Sequence, residues 1–192
     1  MRTLMLAAAL VLATGTLDAQ SAARPNTRQG FWIGFGLGPG STGEDCSSCS
    51  NDRINGAAGY LRMGGTVSPH ILLGGEADFW GTSYRGVDRT FGSGSFILVW
   101  YPSRTGAFYL KFGIGGMTYT TDNGTNELEA TAGTGSFGLG YEFRVGRNFS
   151  VSPYLSSVAS APVEFKINGQ PVAAGEDITM NLFQIGVGLT WH

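Results

Sequence analysis

Large apolar residues alternate with small or polar ones along most of the chain from residue 30 onwards. In the segment 30–38, GFWIGFGLG, every second residue is bulky and apolar, and the residues between are mainly glycine. A period of two is typical of a β-strand, because successive side chains point to opposite faces. Similar segments recur to the end of the chain. We predict eight strands, at 30–38, 57–67, 71–80, 90–101, 107–119, 130–145, 149–159 and 178–192.

The connections between these segments alternate in length. Polar loops are predicted at 41–55, 84–89, 120–129 and 160–177, and they alternate with short turns at 68–70, 102–106 and 146–148. Long loops at one end and tight turns at the other are the signature of an outer-membrane barrel. We therefore predict an all-β fold, an eight-stranded antiparallel transmembrane β-barrel over 30–192, with the first and last strands paired.

The bulky apolar face of the strands is predicted to meet lipid. The opposite face is mostly glycine, serine and threonine, and it carries the charged residues of the strands. A narrow eight-stranded lumen has room for little more than small side chains, so the bulky face must point outwards. The residues expected to face lipid include Phe108, Leu110, Phe112, Ile114, Phe183, Ile185, Val187 and Leu189. Aromatic girdles at the membrane surfaces are expected from Trp32, Trp80, Trp100, Tyr101, Tyr119, Phe149 and Trp191.

The composition agrees with a membrane barrel. The chain has 31 glycines among 192 residues, and 14% of its residues are charged, compared with roughly 25% in soluble domains. The mean hydropathy of +0.03 is far below that of a helical membrane protein. A net charge of −2 gives no indication of nucleic-acid binding.

The N-terminus has the layout of a secretory signal peptide. Arg2 precedes the apolar run LMLAAALVLA at 4–13, and small residues follow it. This run is too short to span a bilayer as a helix, and a buried N-terminal helix is the alternative. We predict a signal peptide over 1–21, cleaved near 19–23, and a short segment over 22–29 before the barrel.

The last strand carries a recognisable pattern. A polar residue, a glycine two positions on and hydrophobic residues at alternate positions follow one another at Gln184, Gly186, Leu189 and Trp191, with His192 as one extra residue. The pattern resembles the C-terminal signal that the outer-membrane barrel assembly machinery reads. The stretch GLGYEFRVGRNFSVSPYL, 138–155, resembles the penultimate hairpin of OmpA-like and OmpW-like outer-membrane β-barrel domains.

This resemblance implies where the protein works and what it meets. We expect a location in the bacterial outer membrane and contact with outer-membrane lipid and lipopolysaccharide. We also expect handling by periplasmic chaperones and the barrel assembly machinery, and a monomer. Proteins of this kind include structural proteins, adhesins, narrow pores and a few enzymes, so the resemblance implies a fold and a location more than an activity.

The two cysteines form a C-x-x-C pattern in the first long loop. In an oxidising compartment, Cys46 and Cys49 are expected to form a local disulfide. A zinc site would need two more ligands, and neither histidine nor a further cysteine lies nearby. A thioredoxin-like role would need a helix N-terminus that this segment lacks.

The charged residues of the strands are predicted to form a network inside the barrel. All lie on the small-residue face, and cations and anions balance: Arg62, Glu76, Asp78, Lys111, Glu142 and Arg144. We expect Arg62 beside Glu76 or Asp78, because an unpaired buried charge is costly. Likewise, we expect Lys111 beside Glu142 or Arg144. Such a network would plug or narrow the lumen.

The sequence indicates no catalytic, cofactor or metal site. The two histidines, His70 and His192, have no serine and carboxylate in a recognisable order, and Glu76 with Asp78 is a conceivable but disfavoured catalytic pair. We expect no enzyme and no cofactor. The favoured function is a structural or surface-interaction role through the outer loops. The alternative is a narrow pore for small or apolar solutes, and weaker alternatives are a secreted soluble β-barrel binding protein and a lipid-modifying barrel enzyme.

Overall fold

The computed structural model describes residues 28–46, 52–172 and 177–192. The predicted signal peptide lies outside the described residues. The strands are β1 (Phe31–Asp45), β2 (Ile54–Ser68), β3 (Ile71–Tyr84), β4 (Val87–Trp100), β5 (Phe108–Asp122), β6 (Glu127–Tyr141), β7 (Phe143–Arg144), β8 (Phe149–Ser160), β9 (Glu164–Ile167), β10 (Gln170–Val172) and β11 (Thr179–Trp191).

Eight long strands, β1 to β6, β8 and β11, close into an antiparallel barrel. Each pairs with its neighbour along the chain, and β1 pairs with both β2 and β11, so that Gly36 lies opposite Tyr60 on one side and Gly188 on the other. This confirms the predicted fold, including the pairing of the first and last strands. No helix among the described residues is long and apolar enough to cross a membrane.

The strands are longer than predicted at one end of the barrel. The strand β1 continues to Asp45, and β3 and β4 are joined by a two-residue turn at Arg85 and Gly86, whose φ angles are 54° and 76°. Two positive φ angles are the requirement of the tight hairpin turns that suit twisted strands. Part of the predicted loop 160–177 forms the β9–β10 hairpin, which pairs with β6. The extension of β1 is polar, so hydropathy alone does not reveal it. The β9–β10 hairpin does carry a local signal, because Phe165 and Ile167 alternate with polar residues before the turn at Asn168 and Gly169.

We name the two ends of the barrel by their connections. The loop end carries the connections 46–53, 85–86, 123–126 and 161–178. The turn end carries the connections 69–70, 101–107 and 145–148. At the turn end the predicted sixth strand is interrupted at Glu142, which separates β6 from β7, and both parts pair with β8.

The outer wall of the barrel is a belt of exposed apolar side chains. Ile114 is 73% exposed and Val187 is 54% exposed, and the other residues predicted to face lipid are exposed or half-buried. In a water-soluble barrel these side chains would fill the interior. Their outward position is that of a barrel that spans a membrane, where closure satisfies every backbone group.

The aromatic girdle prediction was wrong for four residues. Trp32, Trp80, Tyr101 and Tyr119 are buried inside the barrel. They lie on the same face as the interior glycines and charges, and glycines make room for two of the rings, Gly40 and Gly56 for Trp80 and Gly74 for Trp32. Trp100 and Trp191 do face outwards, at the turn end, and Phe149 is half-buried beside Trp191.

Candidate functional site

The lumen is the candidate site, and side chains fill it in successive layers. The layer nearest the loop end is apolar. Trp80 packs here against Phe91 and Met117, and its indole N–H donates to the Gly40 carbonyl over 3.2 Å. We call this layer the outer layer, and its buried members are Ala58, Trp80, Phe91, Met117, Tyr119, Ala130, Val158, Val163, Met180 and Leu182.

The middle of the lumen is charged. Lys111 donates a short hydrogen bond to the Glu76 carboxylate and another, of 2.9 Å, to the Ser156 hydroxyl. The Asp78 carboxylate accepts from the Gln184 side-chain amide at 2.6 Å and from the Ser93 hydroxyl at 3.2 Å. We call Arg62, Glu76, Asp78 and Lys111 the central cluster, and all four are buried.

Arg62 is held mainly by aromatic rings. Its guanidinium carbon lies 4.8 Å from the ring centre of Tyr60 and 5.1 Å from that of Tyr109. Its hydrogen bonds, to the Tyr109 and Thr190 hydroxyls, are long at 3.4 and 3.5 Å. Although Arg62 and Glu76 are directly opposite in the strand register, cation–π contacts supply most of the close partners of this cation.

A second aromatic layer closes the lumen towards the turn end. We call it the inner layer, and its members are Trp32, Leu72, Ile97, Val99, Tyr101 and Tyr109. Below it, the Tyr101 hydroxyl donates to Glu142 over 2.7 Å, and Arg28 stacks on the Tyr101 ring at 3.3 Å from its centre. Arg28 also donates to Glu142 at 3.4 Å and to the Gly106 carbonyl at 2.6 Å.

The structure divides the six predicted network residues between these places. Arg62, Glu76, Asp78 and Lys111 meet in the middle of the lumen. Glu142 lies at the turn end instead, where Arg28 and, at 3.6 Å, His192 approach it. Arg144 is half-buried at the rim, so neither Glu142 nor Arg144 is the partner of Lys111.

The expected pairing of Lys111 differs from the observed one for a geometric reason. Lys111 lies on β5 and Glu76 on β3, with β4 between them, so the side chain reaches across the curved interior. The predicted partners of Lys111 both lie on a neighbouring predicted strand. In a closed narrow barrel, strands that are not neighbours also share the lumen.

Three residues that take part in the lumen contacts were not predicted to do so from the sequence. Arg28 precedes β1 and belongs to no alternating segment, so no pattern marks it. Gln184 was assigned to the C-terminal signal and Tyr101 to the aromatic girdle. Gln184 nevertheless lies on the same face of β11 as the interior positions. That parity is the signal that could have placed Gln184 beside Asp78.

The remaining predicted residues lie as follows. Gly186 faces the lumen on β11, whereas Leu189 and Trp191 face outwards, with Trp191 57% exposed. Their reading by the assembly machinery stays a prediction. Cys46 is not a free thiol, and Cys49 lies outside the described residues, so the Cys46–Cys49 pairing also stays a prediction.

A small cavity lies among the packed side chains of the lumen. Its volume is about 10 Å³, and its lining includes Tyr60, Arg62, Glu76, Lys111 and Tyr154. This is about the volume that one water molecule needs. Within the described part of the chain, no group of His, Cys, Asp and Glu side chains is arranged to hold a metal ion.

A much larger concavity lies on the wall of the barrel. Its volume is about 850 Å³, and it follows a row of exposed small residues that pair across four strands: Ala77, Gly94, Gly116 and Gly133. These four residues lie on the lipid-facing side, and the lining also includes the buried residues Asp78, Ser93 and Met117, so the concavity lies against the wall of the barrel beside the central cluster and the outer layer.

Comparison with solved structures gives the fold its place among known proteins. Neisserial surface protein A matches with a TM-score of 0.61 at 10% sequence identity, covering 84% of this chain and 96% of that one. Ail, the attachment invasion locus protein of Yersinia pestis, matches with a TM-score of 0.51 at 13% identity, covering 85% and 99%. No family model and no curated protein matches the chain.

The chain has the fold of the small eight-stranded outer-membrane β-barrels. At these identities the likeness is one of fold. The apolar belt gives the physical reason for the location, since a closed barrel with an apolar outer band is the form in which β-structure crosses the outer membrane. The protein is therefore an outer-membrane barrel, as predicted.

Proposed function

We propose that this protein is a non-enzymatic surface barrel with a closed lumen, which acts through its loop end. The observation that carries the proposal is the filling of the lumen by two apolar layers with the central cluster between them. An ion crossing the lumen would have to displace Trp80 and Phe91 at one end and Trp32 and Tyr101 at the other. The central cluster lies between the outer and inner layers, so its charged side chains help to close the lumen and do not form a continuous path for ions.

The loop end is where a closed barrel can meet other molecules. The strands extend there beyond the apolar belt, and the β9–β10 hairpin adds to the sheet. Carboxylates outnumber basic groups among the described residues of this end. The carboxylates are Glu44, Asp45, Asp52, Asp88, Asp122, Glu127, Glu129, Glu164 and Asp177, and the bases are Arg53, Arg85, Arg89 and Lys166.

This charge balance favours a partner with a basic surface. Asp88 lies opposite Asp122 in the strand register, and Asp122 lies opposite Glu127, so three carboxylates line neighbouring strands. Like charges facing each other are unfavourable, and a cationic partner would relieve the repulsion. One structure similar to this chain is Ail in complex with the heparin analogue sucrose octasulfate. A polyanion of that kind does not suit the loop end of this protein.

The test uses cells that display the full-length protein. Attachment of amine-coated and sulfate-coated latex beads is counted for the wild type, for Asp88→Asn/Asp122→Asn/Glu127→Gln, and for cells with the empty vector. We expect the wild type to retain more amine-coated beads than the empty-vector cells, and the triple variant to lose that excess. Equal retention by all three strains, or a preference for sulfate-coated beads, would contradict the proposal.

The narrow-pore alternative has less support. The small cavity beside Tyr60 and Lys111 has about the volume of one water molecule, and the small residues along the concavity of about 850 Å³ lie on the outer face of the wall. Among the described residues, the outer and inner layers separate the central cluster from the two ends of the barrel. Contacts with lipopolysaccharide, periplasmic chaperones and the assembly machinery remain part of the proposal, as does the monomeric state.

A further inference from the structure

The turn end of the barrel has the opposite charge to the loop end. Arg28, Arg104, Arg144 and Arg147 lie there. Among the described residues, Glu142 is the one side-chain carboxylate at this end, and it forms an ion pair with Arg28. Arg104 and Arg147 therefore give the rim an excess of positive charge. Arg104 and Arg147 are exposed, and Arg144 is half-buried.

Arg104 and Arg147 lie on neighbouring connections of the rim. Arg104 is in the β4–β5 connection, and its carbonyl accepts a 3.5 Å hydrogen bond from Arg28. Arg147 is in the turn between β7 and β8. The two connections are neighbours around the barrel, because the start of β5 pairs with the end of β6 and the Glu142 N–H donates to the Ala107 carbonyl over 2.9 Å.

An aromatic band adjoins this basic rim on the outer wall. Trp191 is 57% exposed and Trp100 is 40% exposed, and the exposed rings of Phe108, Tyr141 and Phe143 lie at the same level. Aromatic rings of this kind sit at the level of lipid headgroups. The neighbouring arginine side chains are long enough to reach that layer, and guanidinium groups bind phosphate in a bidentate way.

We infer that the turn-end rim binds the headgroups of anionic phospholipids through Arg104 and Arg147. The ligand is a lipid with a net negative headgroup, such as phosphatidylglycerol. A negative headgroup neutralises the positive charge of the rim, and the aromatic band places the rim at the depth of the headgroups. This surface is at the opposite end from the proposed interaction surface, so the two proposals are independent. It also orients the barrel, with the turn end in the phospholipid leaflet.

The tryptophans of the chain supply the probe. Trp100 and Trp191 are exposed beside the rim, whereas Trp32 and Trp80 are buried in the lumen. The full-length protein is reconstituted in phosphatidylcholine membranes that contain either brominated phosphatidylglycerol or brominated phosphatidylcholine at the same mole fraction. Bromine quenches tryptophan fluorescence on contact, so the two exposed tryptophans report which lipid lies against the turn end.

We expect brominated phosphatidylglycerol to quench more strongly, with a preference over phosphatidylcholine of roughly fivefold for each arginine that contacts a headgroup. The double variant Arg104→Gln/Arg147→Gln should lose most of this preference. The matched control is Arg85→Gln/Arg89→Gln, which removes two arginines from the loop end and should keep it. Each variant is first shown to be folded by its heat-modifiable migration on a gel.

A salt series on the wild-type protein tests the same inference without any substitution. At about 1 M salt the Debye length falls to about 3 Å, so the preference should largely disappear. Equal quenching by the two lipids at low salt would overturn the inference. The inference would also be overturned if Arg104→Gln/Arg147→Gln left the preference for phosphatidylglycerol unchanged. The same holds if only the loop-end control, Arg85→Gln/Arg89→Gln, removed that preference.

Discussion

At the scale of single residues, the interior glycines are what admit the large rings into a narrow lumen. A side chain at Gly36 would collide with the rings of Tyr60 and Tyr154, and one at Gly188 or Gly140 would collide with the hydroxyl of Tyr60 or Tyr109. Tyr60 and Tyr154 pack edge to face, with ring centres 4.8 Å apart. Glycines at these interior positions therefore make room for the aromatic rings.

Gly36→Ala should destabilise the barrel by about 1–3 kcal/mol, because the added methyl group overpacks the Tyr60 and Tyr154 rings. Gly94→Ala is the matched control, since a methyl group there meets open space on the outer wall. Reversible urea unfolding in lipid vesicles measures both. Similar unfolding free energies for the two variants would show that the lumen is not packed as described.

The ion pair between Lys111 and Glu76 gives a second prediction at this scale. Lys111→Met should cost about 3–5 kcal/mol, because it leaves a buried carboxylate without its cation. Lys166→Met is the control, since Lys166 is 43% exposed and lies 3.9 Å from Glu129, and such a surface pair contributes at most about 1 kcal/mol. The same unfolding assay decides. A loss for Lys111→Met no larger than that for Lys166→Met would contradict the assignment.

At the scale of strands, the two-residue period predicts both the existence of each barrel strand and its lipid-facing side. The prediction succeeds because the outer wall within the membrane contacts lipid and its side chains are therefore mainly apolar. The period also assigned Trp32 and Trp80 to the inner face, but their position near strand ends suggested a girdle instead. The period was the better indicator, since the parity of a strand is fixed by its backbone.

The strand ends were less predictable for physical reasons. Beyond the apolar belt at the loop end, β1 continues as a hydrogen-bonded strand without an apolar face, so its extension to Asp45 leaves no hydropathy signal. At the interruption, Glu142 contacts Arg28 and Tyr101, which are distant in sequence. Neither feature can be derived from a local pattern, whereas the β9–β10 hairpin could have been predicted from its Asn168-Gly169 turn.

The lipid-facing side of β5 supplies a prediction at this scale. Ile114→Arg places a charge near the middle of the belt and should cost about 2–4 kcal/mol. Val145→Arg, at the turn-end interface, should cost about 0–1 kcal/mol, since an arginine there reaches the headgroups. Both residues are about equally exposed, at 73% and 68%. Equal unfolding free energies for the two variants would mean that Ile114 does not face the membrane core.

At the scale of the whole molecule, the barrel combines a closed interior with ends of opposite charge. Four charged residues of the interior, Arg62, Glu76, Asp78 and Lys111, could be predicted, because they lie on the small-residue face of strands whose other face is apolar. The partners could not, because Lys111 meets Glu76 across the lumen and Arg28 enters from outside the predicted strands. These contacts depend on the curvature of the closed sheet, which brings non-neighbouring strands together and cannot be read from local sequence patterns.

The central claim is that side chains close the lumen, and single-channel recording in planar bilayers tests it most directly. The refolded wild-type protein is recorded with an open porin as the positive control and a preparation from empty-vector cells as the negative one. The filled layers around Trp80, Lys111 and Trp32 predict no steady conductance above that of the empty-vector preparation. Reproducible single-channel steps that appear only with the barrel protein would contradict the account and favour the narrow pore.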